Sequence, residues 1–187
     1  MKNPDDEKII LGIDPGTTVT GYGILRVSGK NPSVITMGII DLRKKEDHFK
    51  KIRTIFEQTL ALIDQFHPDE FAIEAPFYGK NVQSMLKLGR AQGAAIAAAL
   101  YRDLPVFEYA PRMIKMSITG RGQASKEQVA SMLQTILSFR SDRDVLDATD
   151  ALGAALCHHY QSFKPKAAKE YRNWNDFIRK NSDRIRG

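Results

Sequence analysis

The sequence predicts a single α/β domain whose core is a five-stranded mixed sheet flanked by helices on both faces. The first strand is apolar on both of its faces, and short apolar segments alternate with helical patterns along the chain. A chain of 187 residues suffices for one sizeable core but not for two large lobes. We place the domain at residues 1–163 and treat residues 164–187 as a basic tail whose apolar residues also fit a helix.

Three strands in a meander are predicted at the start of the chain. Residues 9–13 are mostly branched and apolar, and residues 20–27 and 33–40 follow with Gly-Lys-Asn-Pro between them. Asp14 ends the first of these strands. An ionised carboxylate beside a buried strand is costly unless it is paired or bound to metal. We therefore expect Asp14 to belong to a charged site.

A helix and a fourth strand are predicted next. Apolar residues within 47–66 recur at helical spacing, which predicts an amphipathic helix covering one face of the sheet. They are Phe49, Ile52, Phe56, Leu60, Ile63 and Phe66. Residues 71–75 then form a short apolar strand in which Glu74 is a second unexplained acid, just before Pro76. Ligands of open α/β sheets gather at such strand ends, so we expect Glu74 to adjoin a site.

The second half of the chain continues this alternation. Residues 86–100 form an Ala-rich helix with two glycines, which we place in the middle of the domain or at a subunit contact. Residues 105–109 are predicted as the fifth strand. Ser125 and Gln128 form a capping box at the start of another helix. The predicted buried stripe of that helix is Val129, Met132, Leu133 and Ile136.

The last predicted helix begins near two further acids. Asp147 and Asp150 are three residues apart, which places them on one face of the first turn. For an isolated pair the commoner role is to cap the helix and favour its dipole. Together with Asp14 and Glu74, however, they make four acids, two at strand ends and two at a helix start. The predicted order is three strands, a helix, a strand, a helix, a strand and two helices.

This order and these acids resemble the ribonuclease H-like nuclease fold and, within it, the RuvC family of bacterial Holliday junction resolvases. The matching segments are Leu-Gly-Ile-Asp-Pro-Gly at 11–16, Val-Thr-Gly-Tyr-Gly at 19–23, Phe-Ala-Ile-Glu at 71–74 with Phe77, Leu-Lys-Leu-Gly at 86–89, Leu-Pro-Val-Phe-Glu-Tyr at 104–109 and Asp-Ala-Thr-Asp-Ala-Leu at 147–152. The resemblance spans about residues 8–160, which is the whole predicted domain.

The resemblance implies a metal-dependent nuclease. The family's four metal-holding acids map onto Asp14, Glu74, Asp147 and Asp150, which implies two Mg²⁺ ions per subunit with Mn²⁺ as a substitute. The implied reaction is hydrolysis of a DNA strand to 5′ phosphate and 3′ hydroxyl ends. The implied assembly is a homodimer that nicks a four-way junction symmetrically in recombination and repair, working with the RuvA and RuvB branch-migration proteins. The helix at 86–100 is our candidate dimer element, although its spacing fits an internal helix equally well.

The resemblance also assigns contacts with the junction. Lys115 and Lys126 match catalytic lysines that contact the phosphate, although each alone fits an ordinary surface cation. Phe77, in a polar loop, matches a ring that stacks on an unpaired base. Ala75-Pro76 departs from the residues that many relatives have before this ring, which could change how the loop is aimed. The further DNA contacts that we expect are Lys80, Lys87 and Arg90.

Charge and composition add little to this assignment. The net charge is +6, and residues 164–187 hold eight Lys or Arg and three Asp or Glu, so the tail accounts for +5 and the rest for +1. The tail could dock on the domain, touch DNA or meet a partner. Cys157 is the single cysteine, so no internal disulfide can form. Without an apolar run long enough to cross a bilayer, and without a charged-then-apolar leader, we expect a soluble protein of the bacterial cytoplasm.

Two other function classes fit part of the sequence. Residues 12–18 also resemble the first phosphate loop of actin-like ATPases and sugar kinases, but the chain has no Asp-Gly dipeptide for a second loop and too few residues for a second lobe. A junction-binding module without cleavage would place four acids near phosphates to its own disadvantage. We expect His158 and His159 to be surface or half-buried residues outside the site.

Overall fold

The computed structural model describes residues 7–44, 47–76, 81–139, 146–162 and 178–179. The elements are β1 (Lys8–Asp14), β2 (Val19–Ser28), β3 (Asn31–Asp41), α1 (His48–Phe66), β4 (Glu70–Glu74), α2 (Val82–Tyr101), β5 (Val106–Tyr109), α3 (Pro111–Thr119), α4 (Lys126–Leu137) and α5 (Leu146–Ser162). The sheet order is β3-β2-β1-β4-β5. β1, β2 and β3 form the antiparallel meander, and β4 and β5 run parallel to β1. The predicted five-stranded mixed sheet is confirmed.

Two apolar cores lie on opposite faces of this sheet. One contains Ile10 and Leu25 of the strands together with residues of α3, α4 and α5. The other contains Leu11, Ile13 and Ile24 together with residues of α1 and α2. Successive side chains of a strand point to opposite faces, so neighbours such as Ile10 and Leu11 serve different cores. The predicted placement of helices on both faces is therefore confirmed.

The structure adds one helix that the predicted order lacks. α3 has nine residues, of which only Ile114 and Ile118 are buried, and no side chain caps its start. Two buried positions are too few to give a clear helical period, which is why the sequence pattern missed it. Its ends carry weak local signals, since Pro111 occupies the first turn and Gly120 follows with a φ of 71°.

Two residues predicted on buried helical stripes are exposed instead. The side chain of Phe49 is 75% exposed, because it lies in the first turn of α1 and the buried residues of that helix begin at Ile55. Met132 is 40% exposed, because the buried stripe of α4 follows Val129 and Leu133 and leaves Met132 at its edge. The helices themselves form where they were predicted, but their apolar stripes are shorter or narrower.

The prediction that His158 and His159 are surface or half-buried residues is wrong. They are only 2% and 3% exposed. The polar atoms of His158 are satisfied inside the core, since Tyr109 Oη lies 2.6 Å from its Nδ1 and Glu70 Oε2 lies 2.5 Å from its Nε2. Glu70 also pairs with Lys8. A histidine with both ring nitrogens bonded can be buried at little cost, and here it ties α5 to β4 and β5.

Among the residues that the structure describes, no helix combines the length and the apolar character needed to span a bilayer.

Candidate metal centre

Two of the four acids end neighbouring parallel strands. Asp14 is the last residue of β1, and Glu74 is the last residue of β4. Ile13 pairs with Ile73 in the register of these strands, so the following residue on each strand is an acid at the same edge of the sheet. The ladder between β4 and β5 continues one residue further, where Ala75 N donates to Tyr109 O at 2.9 Å. The residues before and after Glu74 therefore both take part in the sheet, which fixes the backbone of Glu74.

The other two acids reach this edge on α5, which lies unusually close to the strands. A Cβ atom at Gly21 would lie 2.0 Å from the carbonyl oxygen of Asp147, and one at Gly12 would lie 2.1 Å from that of Ala151. Such distances are impossible for real atoms, so only glycine fits at these two strand positions. The glycines of β1 and β2 therefore set the distance between the sheet and the first turns of α5, which carry Asp147 and Asp150.

Three carboxylates meet at this point. One oxygen each of Asp14, Asp147 and Asp150 lies within 4.8 Å of the other two. Glu74 lies outside this three-residue group, but its charge acts on Asp14 and the charge of Asp150 acts on it. The side chain of Asp150 is 16% exposed and that of Asp147 is 49% exposed. The cluster is therefore buried on the sheet side and open to solvent at Asp147.

Burial and mutual repulsion make two of these carboxyls weak acids. Burial, with the charges of Glu74 and Asp150 as the next causes, raises the pKa of Asp14 to about 8. Burial and then the charge of Asp150 raise the pKa of Glu74 to about 7. Both shifts report the cost of gathering negative charge in a partly dry place, so a cation bound there would lower the free energy of the ionised cluster.

Lys126 already supplies one positive charge to the cluster. Its Nζ lies 2.6 Å from Asp150 Oδ2 and 4.0 Å from Asp147 Oδ1. It stands at the first position of α4, directly after the N-cap Ser125 and inside the predicted capping box of Ser125 and Gln128, which the structure confirms. The charge of Lys126 lowers the pKa of Asp14, against the larger effect of burial. The ammonium group of Lys126 therefore lies beside the same carboxylates that would bind a metal cation.

The donor set fits a small divalent cation. Mg²⁺ binds oxygen at 2.0–2.1 Å, so two oxygens of its shell lie roughly 3 to 4 Å apart. The three carboxylates have oxygens within 4.8 Å of one another, and small side-chain rotations would bring them into that range. Within the described residues the cluster contains no His or Cys, which matches the preference of Mg²⁺ for oxygen over softer ligands.

The other predicted site residues differ in how closely the structure relates them to the acids. Lys115, on α3, is near enough for its charge to lower the pKa of Glu74, which burial raises. Lys87 and Arg90 are exposed on the first half of α2. Phe77 and Lys80 lie outside the described residues, and so does the loop that the Ala75-Pro76 departure was expected to affect.

The sequence pattern missed a lysine that fastens the loop after Asp14. Lys51, on α1, donates from Nζ to the carbonyl oxygen of Thr17 at 3.0 Å. Leu42 N donates to Thr18 O at 3.0 Å in the same loop. A lysine in a basic segment gives no local sign of such a role. The glycines of β1 and β2 did give a sign, because glycine inside a strand often marks a close backbone approach.

Comparison with known proteins identifies the family. The family model described as "Crossover junction endodeoxyribonuclease RuvC" matches residues 10–158. A protein of that name from Bacteroides fragilis is 62% identical over 188 aligned residues, which cover 100% of both chains. Another from Porphyromonas gingivalis is 54% identical and covers 96% of this chain and 98% of that protein.

A solved structure supports the same assignment. The structure described as Thermus thermophilus RuvC in complex with a Holliday junction substrate superposes with a TM-score of 0.77 at 29% identity. The match covers 83% of this chain and 94% of that one. The predicted ribonuclease H-like arrangement is confirmed by this likeness. The sheet-edge carboxylates, the full-length relatives and the shared fold lead to one conclusion: the chain belongs to the RuvC family of crossover junction endodeoxyribonucleases.

Proposed function

We propose that this protein is a structure-selective endonuclease that resolves four-way DNA junctions by metal-dependent paired nicks, in homologous recombination and DNA repair. The observation that carries the proposal is the convergence of Asp14, Asp147 and Asp150 at one sheet edge, with oxygens within 4.8 Å of one another. Its substrate is supported by the relative from Thermus thermophilus, whose structure is described as a complex with a Holliday junction.

In this proposal Asp14, Glu74, Asp147 and Asp150 hold two Mg²⁺ ions, with Mn²⁺ as a substitute. When bound, such ions activate a water molecule and stabilise the departing oxygen of a phosphodiester. Asp14 and Glu74 contribute rigidity, because each ends a hydrogen-bonded strand. Asp147 has a side chain that is 49% exposed, so it faces the side from which DNA would approach.

Lys126 and Lys115 orient the phosphate in this proposal. An ammonium group has three N–H donors, and the bond from Lys126 to Asp150 uses one of them. The remaining donors can reach a phosphate oxygen without leaving Asp150. Lys115 lies on the Glu74 side of the cluster, where its charge would face the same phosphate. Further from the centre we assign junction contacts to Phe77, Lys80, Lys87 and Arg90.

The test compares substrates and metal. With Mg²⁺, the protein is expected to nick a synthetic four-way junction at symmetric positions at least about tenfold faster than a linear duplex of the same sequence. Removal of divalent ions with a chelator should stop nicking, and Mn²⁺ should restore it. Labelled strands resolved on denaturing gels measure both rates. Equal nicking of junction and duplex would rule out the proposed substrate, and nicking in the chelator would rule out the proposed metal role.

We also propose a homodimer formed through α2. Val82, Leu86 and Leu100 are 66%, 52% and 58% exposed, although they are apolar. They share a face of α2 with Gly89 and Gly93, beside which a Cβ atom would meet nothing within 4 Å. An exposed apolar stripe with small residues at its centre allows close approach of a second helix. A twofold dimer would present two metal centres to a junction whose strands have matching symmetry.

Leu86→Glu is expected to convert this dimer into a monomer, because the new charge would be buried unpaired at the interface. The monomer should still bind junction DNA but should nick its two strands independently. Gln83→Glu adds the same charge on the same helix away from the stripe, so it should remain dimeric. Sedimentation at micromolar concentration measures the mass. A monomeric unaltered protein, or a dimeric Leu86→Glu variant, would contradict the assignment of α2.

The cellular role follows from the substrate. Four-way junctions arise on bacterial chromosomal DNA, so we place the enzyme in the cytoplasm, and we propose RuvA and RuvB as its branch-migration partners. Membership of a nuclease family favours this function over the phosphotransferase that residues 12–18 also resemble. The same membership favours it over a junction-binding protein without cleavage, and the metal-dependent nicking assay separates the two.

A further inference from the structure

We propose that the start of α1 forms a second DNA-contact surface, which binds unpaired nucleotides of the cleaved strand next to the metal centre. This α1 patch consists of Phe49, Lys50, Lys51 and Arg53. The inference rests on the proposed function, because it concerns how the same substrate strand continues beyond the scissile phosphate. The patch combines an exposed aromatic ring, free cations and a physical link to the loop after Asp14.

Phe49 and two cations share the exposed face of the helix. Phe49 and Arg53 are four residues apart, and Lys50 and Arg53 are three apart, so the three side chains are neighbours on the helix surface. Phe49 is 75% exposed, and Lys50 and Arg53 are also exposed. A phenylalanine exposed to this degree buries little of its ring in its own domain, although the ring centroid of His48 lies 6.1 Å from that of Phe49. It is available to a partner that offers a flat apolar surface.

The positive charge of the patch exceeds the negative charge beside it. In the described part of the chain neither Lys50 nor Arg53 takes part in an ion pair. Asp47 accepts from the backbone N of Lys50 at 2.8 Å as the helix cap, and Asp41 pairs with Arg43. The exposed Glu57, four residues after Arg53, offsets part of the charge without pairing with it. The surplus cations therefore face solvent, where a polyanion would be attracted.

The patch lies within reach of the metal centre. Lys51 Nζ bonds to the carbonyl oxygen of Thr17 at 3.0 Å, and Thr17 is three residues after Asp14. Three residues of extended chain span at most about 11 Å, and crossing α1 from Lys51 to Phe49 and Arg53 on its other side adds about 10 Å, so the two together equal roughly six steps of 3.4 Å along a DNA strand. Lys51 uses one of its three donors on Thr17, so the others can reach a phosphate. A strand held at the carboxylates would reach this surface within about six nucleotides.

The combination of residues favours unpaired nucleotides over the other candidates. A rigid duplex offers phosphates but hides the faces of its bases, so it would use the cations and leave Phe49 idle. Proteins that bind single strands combine a basic surface with an aromatic ring on which a base stacks. A second copy of this chain centred on the patch is a poorer fit, because a twofold axis through the patch would bring the same three cations together.

The experiment measures junction binding in a chelator over a series of salt concentrations. Lys50→Gln and Arg53→Gln are each expected to reduce the slope of log K against log salt by about 0.7, the value for one phosphate contact on a single strand. Phe49→Ala should weaken binding about tenfold without changing the slope. Lys30→Gln and Tyr101→Ala are matched controls that should leave binding unchanged. Lys30 is exposed on the β2–β3 turn at the other end of the sheet, and Tyr101 is 65% exposed at the end of α2.

The outcomes separate this inference from the proposed function. If the unaltered protein binds and nicks junctions but the three patch variants bind like the controls, the patch is wrong and the function stands. If Phe49→Ala lowers the mass of the protein in sedimentation, the ring belongs to a contact between copies and the inference is overturned. If the unaltered protein neither binds nor nicks any junction, the proposed function itself fails.

Discussion

Asp14→Asn is expected to reduce junction nicking by about a thousandfold or more while leaving junction binding within about threefold of the unaltered protein. The substitution keeps the size of the side chain but removes one of the three carboxylate oxygens that converge at the sheet edge. Loss of a hard anionic ligand lowers the affinity for a divalent ion and displaces any ion that still binds. Asp103→Asn makes the same chemical change at an exposed residue after α2 and should nick at the normal rate.

The same variant is expected to be more stable than the unaltered protein when metal is absent. Burial raises the pKa of Asp14 to about 8 from a value of 3.8. Between these values the folded state binds more protons than the unfolded state, so folding becomes less favourable as the pH rises from 4 to 8. Asparagine has no such penalty. At pH 8 in a chelator we expect a gain of about 2 kcal/mol, which corresponds to a rise of about 4–8 °C in Tm.

Two further measurements make this prediction sharper. The gain in Tm should shrink as the pH falls from 8 towards 5, because the penalty in the unaltered protein shrinks over that range. Mg²⁺ should raise the Tm of the unaltered protein more than that of Asp14→Asn, since a ligand stabilises the state that binds it. A variant that is less stable than the unaltered protein at pH 8 without metal would show that Asp14 is an ordinary paired carboxylate. The expected result is that Asp14 lowers the stability of the metal-free protein while it serves the metal centre, as functional residues often do.

The sheet and the strand-end acids were predictable because their signals are local. Asp14 and Glu74 end short apolar strands, and the rule that ligands gather at strand ends predicts from the sequence alone that they lie together. The helix α3 was not predictable in this way, because its two buried residues depend on what packs above them. The exposure of Phe49 was missed for a related reason. Helical spacing shows which residues share a face, but not where the sheet beneath that face ends.

The role of Lys126 shows a second limit. Its ammonium group lies 2.6 Å from Asp150, yet 24 residues separate the two in the chain. The capping box of Ser125 and Gln128 predicted the start of α4, and the acids Asp147 and Asp150 predicted the start of α5. No local sequence pattern indicates that the first turns of these two helices lie next to each other. That meeting depends on the tertiary arrangement of α4 and α5. Only the resemblance to a known family pointed to Lys126 from the sequence.

Gly21→Ala is expected to lower nicking at least about a hundredfold while the protein still folds and binds junction DNA. The added Cβ would lie 2.0 Å from the carbonyl oxygen of Asp147, so the first turn of α5 must move away by about 1 Å to restore van der Waals contact. That turn carries Asp147 and leads to Asp150, so both carboxylates move relative to Asp14. A displacement of about 1 Å in catalytic groups can cost about a hundredfold in rate.

Gly23→Ala is the matched control for this prediction. It makes the same substitution on the same face of β2, but its Cβ would lie 2.7 Å from Leu152 Cγ and Cδ2 and 2.9 Å from Leu152 N. The nearest backbone atom is thus at 2.9 Å rather than the 2.0 Å found at Gly21, and Leu152 lies more than one turn beyond Asp147, so the first turn of α5 should move much less. Gly23→Ala should therefore lose stability by about 1–3 kcal/mol but keep most of its activity. Nicking is compared at a temperature where circular dichroism shows both variants folded. If Gly21→Ala then nicks as fast as Gly23→Ala, the close approach of α5 to the strand does not position the carboxylates.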